Sequence, residues 1–199
     1  MPADDPDDAT LATYQAYADR YVDRTPPPGS DTVRFLDQFV AAVPGSAVLE
    51  FGSGPGHDAA YMETRGLRVT RTDATPAFVD RLCEAGYSAL LLDVRVDDFG
   101  GPYDGTWANG VLLHLDRSQF ADVVQRARRA VVAGGVFGLS LQEGDGAGWT
   151  TRRLDAPRYF TYWRAPDVRR ILTDNGWAVE VFEHSGRSAE WLHFIARTT

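Results

Sequence analysis

Residues 47–62 read AVLEFGSGPGHDAAYM, and no other stretch limits the possible folds so tightly. A short apolar run ending in Glu50 and Phe51 has the character of a buried strand. Gly52, Gly54 and Gly56 then alternate, and a helix-like segment follows. Glycines spaced this way let the backbone take positive φ and remove side chains from the bend, so a ligand can lie against the main chain. The helix that follows would direct its free N–H groups at that ligand.

The spacing separates two kinds of ligand. The dinucleotide fingerprint has its third glycine three residues after the second, with a pyrophosphate over the helix N-terminus. Here that position is His57. Glu50, two residues before the first glycine, would repel a pyrophosphate but can accept from a cationic ammonium. The pattern resembles motif I of the class I S-adenosylmethionine (SAM) dependent methyltransferases. A tight strand-to-helix turn without a ligand is the alternative reading of the glycines alone.

Composition narrows the partners. The chain has 199 residues, enough for one domain with a substantial core. Its net charge of −8 opposes binding to nucleic acid or anionic membranes and favours a small-molecule acceptor. Every basic residue is Arg and none is Lys, which removes Schiff-base chemistry. The lone Cys83 is expected to be buried in a helix, and the histidines at 57, 114, 184 and 193 lack metal-ligand spacing, so no metal is expected. No apolar run reaches transmembrane length, and the acidic residues 1–10 are unlike a secretory signal, so a frayed tail and a cytoplasmic location are expected. The sequence leaves the oligomeric state open.

Leu11 to Asp23 reads as a helix with Tyr14, Tyr17 and Tyr21 on one face, ended by PPPG. Asp31 is expected to cap a second helix, which Pro44-Gly45 stops. Strand-like and helix-like segments alternate from Ala47, as in a parallel sheet covered by helices on both faces. Strands are expected at Ala47–Phe51, Leu67–Thr72, Ser88–Leu92, Tyr103–Asn109 and Gly135–Gln142. Thr75-Pro76, Asp116 and Pro166 open helices; the one from Asp116 should reach about Val132, and Gly176 closes the last. Trp177–Phe182 and Trp191–Ala196 then form two strands too close together for a parallel crossover, so they should pair antiparallel.

A Rossmann-like, doubly wound seven-stranded sheet with an antiparallel last strand, in three α/β/α layers, is what the resemblance implies. It covers nearly all of residues 11–199 as one domain. It places the glycine loop, Ser53 and His57 around the cofactor, with Asp73 on the ribose hydroxyls beside Ala74. Asp93 would receive the adenine amino group, with Val94 packed on the base, and Asn109 would meet the methionine end. Helix-capping or turn roles remain the alternatives for Asp73, Asp93 and Asn109. The segments GVLLHL and VVAGGVFGLSL resemble the family's stretches around its fourth and fifth strands, although Ala133 replaces the usual proline.

His114, after the fourth strand, is the candidate general base or acceptor-positioning group; the alternative is a packed histidine. Residues 143–164 are too long for a plain connector. Their Trp149, Tyr159, Phe160, Tyr162 and Trp163 are expected to form an apolar lid over the acceptor, and Arg152, Arg153 and Arg158 a clamp for a carboxylate or phosphate. The stretch RYFTYW resembles a bacterial branch of small-molecule methyltransferases. Tyr14, Tyr17 and Tyr21 are expected to fold over the cofactor mouth. The resulting expectation is a SAM-dependent methyltransferase acting on a small molecule, at oxygen first and at nitrogen or another heteroatom second. A nicotinamide oxidoreductase and a non-catalytic SAM-binding module are the alternatives.

Overall fold

In the computed structural model, which describes residues 6–186 and 190–199, the apolar run after Ser46 forms strand β1 (Ala47–Glu50) at the interior of a sheet. It pairs in parallel with β2 (Arg68–Asp73) on one side and β4 (Tyr103–Asn109) on the other. β3 (Ala89–Leu91) edges the sheet beside β2, and β5 (Val131–Gln142) continues it beside β4. β8 (Trp177–Ser185) and β9 (Trp191–Thr198) complete seven strands in the order β3-β2-β1-β4-β5-β9-β8. β9 runs antiparallel to both of its neighbours, as the short connection required.

Both faces are covered. Helices α2 (Ser30–Ala42) and α3 (His57–Thr64) bury Phe35, Leu36, Phe39 and Met62 against Trp107, Val136 and Ile195. On the opposite face α5 (Arg117–Ala130) and α6 (Ala165–Asp174) bury Phe120, Val124, Val168 and Leu172 against Leu139, Phe194 and Trp177. α4 (Pro76–Glu84) packs on β2 and β3 and touches α1 (Pro6–Asp23). The strand order reverses between β1 and β4, and in open α/β sheets the crevice beyond the strand C-termini at such a point is where ligands bind.

Local signals explain most boundaries. Asp116 caps α5 through the Ser118 and Gln119 amides at 2.7 and 2.8 Å, and Gln119 returns a bond to the Asp116 amide. Gly176, at φ +77°, ends α6. Other boundaries differ from expectation. α1 begins at Pro6, inside the expected tail; Pro6 opens the helix with Asp7 and Asp8 in its first turn, and residues 1–5 lie outside those described. Asp31 sits inside α2, paired with Arg34, while Gly29 holds the cap position. α5 ends at Ala130 and β5 starts at Val131, four residues ahead of Gly135. Cys83 is exposed on α4. The 143–164 segment contains an antiparallel ribbon, β6 (Ala147–Thr150) with β7 (Arg158–Thr161). Among the described residues no helix is long and apolar enough to cross a membrane.

Candidate cofactor and acceptor site

The glycine loop crosses the C-terminal end of β1. Gly52 has φ +62°, and a Cβ there would lie 2.6 Å from Val111 Cγ2; Gly56 has φ +79°, and its Cβ would lie 2.6 Å from Leu82 Cδ2. Both positions therefore demand glycine on conformational and steric grounds. The Ser53 amide donates to the Thr72 carbonyl and the Gly54 amide to Asp73 Oδ2 at 2.9 Å, which ties the loop to β2.

Two buried carboxyl groups, Glu50 and Asp73, and the partly buried Asp58 surround this loop. Glu50 accepts from the Ser53 hydroxyl, and burial together with the nearby Asp58 charge pushes its pKa up to about 8. Asp73 also receives the Thr75 amide at 2.8 Å, yet burial raises it to about 6. Asp58, in the first turn of α3, accepts from Trp107 Nε1 at 2.9 Å and Asn109 Nδ2 at 2.8 Å; burial raises its pKa against those bonds. The adjacent Arg71 is held by both oxygens of Glu63 at 2.7 Å. The loop thus collects carboxyl groups whose ionisation calls for a cation.

The other expected cofactor residues are distributed along the crevice. Ala74, Asp93 and Val94 line a cavity of about 70 Å³ together with Tyr14, His114 and Leu115. Burial pushes the Asp93 carboxyl up, but the Arg95 guanidinium, 2.7 to 3.0 Å away, outweighs this and holds it below the ordinary range. Arg95 is shared with Asp8 of α1 at 2.8 Å. Asn109 is committed on both sides, donating to Asp58 and accepting from Ser140 Oγ at 2.5 Å. His57 Nε2 lies 3.1 Å from the Thr25 carbonyl, linking the loop to the chain between α1 and α2. A larger depression, about 510 Å³, lies outside this crevice beside Phe99, Arg126 and Arg129 and contains none of the expected site residues.

Farther along the crevice, a 3-10 helix (Leu112–His114) after β4 presents His114 beneath α1. Its Nδ1 is 2.9 Å from the Tyr159 carbonyl, which can only accept, so Nδ1 carries the proton. Burial drives the ring pKa down to about 4; the Tyr159 carbonyl opposes this and the Arg158 charge adds to it. The neutral Nε2 therefore accepts from the Tyr14 hydroxyl at 3.0 Å, and Arg158 Nη1 donates to that same oxygen at 3.0 Å. Burial, with Tyr21 nearby, raises the Tyr14 pKa despite Arg158.

The site gathers Tyr14, Tyr21, His114, Arg158 and the Tyr159 backbone, with the Tyr14 and Tyr21 rings in edge contact at 5.3 Å. Other expected members lie elsewhere. α1 departs from helical geometry at Tyr17, which is 37% exposed and lies under Arg20 instead of joining Tyr14 and Tyr21. Trp149, 53% exposed, meets the Tyr159 ring edge to face, and Tyr162 packs beside Phe160 at the edge of the core. Arg153 lies over Tyr21 and Arg152 is exposed. Asp58 and Trp107 went unrecognised in the sequence; an acid at the start of α3 was visible, but its partner on β4 was not.

Residues 49–137, from within β1 to midway along β5, match the methyltransferase domain family model. Over that span the chain is similar to a methyltransferase domain, and its sheet has the class I methyltransferase fold. No curated protein sequence matches the chain. Among solved structures, the chain is similar to 1,6-didemethyltoxoflavin-N1-methyltransferase of Burkholderia thailandensis, solved with its named substrate and S-adenosylhomocysteine. The TM-score is 0.74 and the identity 20%, over 100% of this chain and 92% of that one. It is also similar to magnesium protoporphyrin IX methyltransferase of Synechocystis PCC 6803 with bound SAM, at TM-score 0.76 and 17% identity over 100% of both chains. The N-methyltransferase NodS of Bradyrhizobium japonicum WM9, solved with S-adenosylhomocysteine, gives 0.69 and 20% over 94% and 98%. At these identities the likeness is one of fold.

Proposed function

We propose that this methyltransferase uses SAM to methylate a small molecule at an oxygen, with nitrogen or another heteroatom as the second choice. The observation that carries the reading is the group of carboxyls, the buried Glu50 and Asp73 and the partly buried Asp58, around a glycine loop whose nearby guanidinium is already paired. SAM has an ammonium and a sulfonium to compensate them, whereas a nicotinamide dinucleotide would add negative charge. When bound, SAM supplies a methyl group already activated on sulfur. The chain's own residues then have chiefly to orient the acceptor and exclude water, and alignment alone can lower a barrier by about 7–11 kcal/mol. In this proposal the loop, Glu50, Asp73 and Ala74 grip the cofactor, while α1 and residues 143–164 close over it.

The charge argument has a direct test. A cationic ligand favours ionised Glu50 and Asp73, so binding lowers their pKa values from about 8 and about 6 and releases protons. SAM affinity should therefore rise as the pH goes from about 6 to about 8 and level off above that. Calorimetry at pH 7 in two buffers of different ionisation enthalpy measures the release; no binding of SAM or S-adenosylhomocysteine, or binding without proton release, would reject the reading.

The bond from the Tyr14 hydroxyl to His114 Nε2 supports a role for this nitrogen in receiving a hydrogen bond from the acceptor. His114→Ala should reduce turnover about 100-fold, the scale of a misplaced reactant, with SAM affinity nearly unchanged. Steady-state kinetics beside SAM titrations would show this; equal losses in both would remove His114 from the acceptor side.

A further inference from the structure

Arg158, on β7, is 5% exposed and has no carboxylate within ion-pair distance among the described residues. Two other inward-facing guanidinium groups are neutralised, Arg71 by Glu63 and Arg95 by Asp93 and Asp8. Arg158 meets only the Tyr14 phenol, the Arg152 carbonyl and the Tyr14 and Phe160 rings, and its buried Nε has no hydrogen-bond partner. A buried cation without a counter-charge is costly, and an arriving anion removes much of that cost.

The phenol oxygen of Tyr14 marks where such an anion would sit. It accepts from Arg158 Nη1 and donates to His114 Nε2, each at 3.0 Å, so a cationic donor and a neutral acceptor converge on one point. The cavity on the Tyr14 and His114 side of this point, which Arg158 does not line, measures about 70 Å³, well below the roughly 300–1,000 Å³ of ordinary ligand pockets. Admitting ligands therefore requires α1 to lift, which withdraws Tyr14 and uncovers Arg158 and His114 together. Whatever replaces the phenol must accept from a guanidinium and donate to an imidazole within the same few ångströms. Tyr21, Phe78 and Phe160 form an aromatic wall around this position, with Phe160 4.9 Å from the His114 ring.

We infer that the methyl acceptor is a small aromatic acid whose carboxylate, seated on Arg158, lies on the atom next to the one bearing the nucleophilic O–H or N–H, which donates to His114 Nε2. This rests on the SAM-dependent methyltransferase reading above and specifies its acceptor. A carboxylate alone would satisfy Arg158 but bring no proton for Nε2; a lone hydroxyl would leave the guanidinium charge unbalanced. Carboxylate on guanidinium is the stronger, charge-assisted pairing.

The probe is salicylate, titrated by calorimetry into the full chain saturated with S-adenosylhomocysteine, with salicylamide and 4-hydroxybenzoate as controls. Salicylate should bind at least about tenfold more tightly than either control, as expected for one charged hydrogen bond. Arg158→Gln should weaken salicylate by a similar factor and leave the S-adenosylhomocysteine affinity unchanged, while Tyr14→Phe should not weaken salicylate. Salicylamide binding as well as salicylate, salicylate failing to bind, or salicylate indifferent to Arg158→Gln would overturn the inference. If Arg158→Gln does not fold, the salicylate-to-salicylamide comparison on the unmodified chain decides. Failure of S-adenosylhomocysteine itself to bind, seen in the preceding titration, would instead count against the cofactor reading.

Discussion

Asp73→Ala is expected to weaken SAM binding by about 10²–10⁴-fold. Each Asp73 oxygen holds one backbone amide, Gly54 at 2.9 Å and Thr75 at 2.8 Å, and retains lone-pair capacity for a ribose hydroxyl. Two charge-assisted bonds at about 1.5–3 kcal/mol each account for the range. The substitution also releases the Gly54 amide and loosens the loop that the ligand rests on. Asp73→Asn, which preserves shape and one acceptor, should lose less. Calorimetry on material whose melting curve shows a folded core measures both; Asp73→Ala binding within about threefold of the unmodified chain would exclude the ribose role.

Trp107→Ala should produce the largest loss of stability. The indole is fully buried on β4, with ring centres 4.9 Å from Phe35 and 4.8 Å from Phe39, and its N–H bonds Asp58. Truncating such a side chain costs about 3–5 kcal/mol, and at about 2–4 °C per kcal/mol for a chain of this size the melting temperature should fall by about 6–20 °C. Trp107→Phe keeps most of the packing and removes the donor, so it should cost about 1–3 kcal/mol and act mainly through Asp58. Differential scanning calorimetry separates the two; an Ala variant melting with the unmodified chain would mean that α2 and α3 are not anchored through this ring.

Much of this arrangement could be read along the chain because it depends on neighbours in sequence. The apolar run ending at Glu50, the glycines after it, the Asp116–Gln119 capping pair and the short link between β8 and β9 each carry their cause within a few residues. The candidate site was legible where side chains sit at strand ends, as Glu50 and Asp73 do, or in the turn just after one, as His114 does. It was not legible where function depends on distant pairing. Asp58 meets Trp107 and Asn109 across about fifty residues of chain, and the Tyr14–His114–Arg158 contact joins three separate elements. Helical periodicity placed Tyr17 with Tyr14 and Tyr21 because it assumes an unbroken helix, and the departure at Tyr17 turns that ring outward. The β6–β7 ribbon escaped because its strands are short and its connection, TRRLDAP, carries no hairpin dipeptide. The acidic start of α1 read as a tail although Pro6 and the two aspartates that follow suit a helix N-terminus.

The exposed position of Cys83 on α4 has a practical consequence. It is the one thiol in the sequence, and α4 borders α1, to which Arg81 is joined through Asp19. A single maleimide dye therefore attaches at a defined place next to α1, and its fluorescence would track the proposed lifting of that helix in real time without engineered cysteines or removal of native ones.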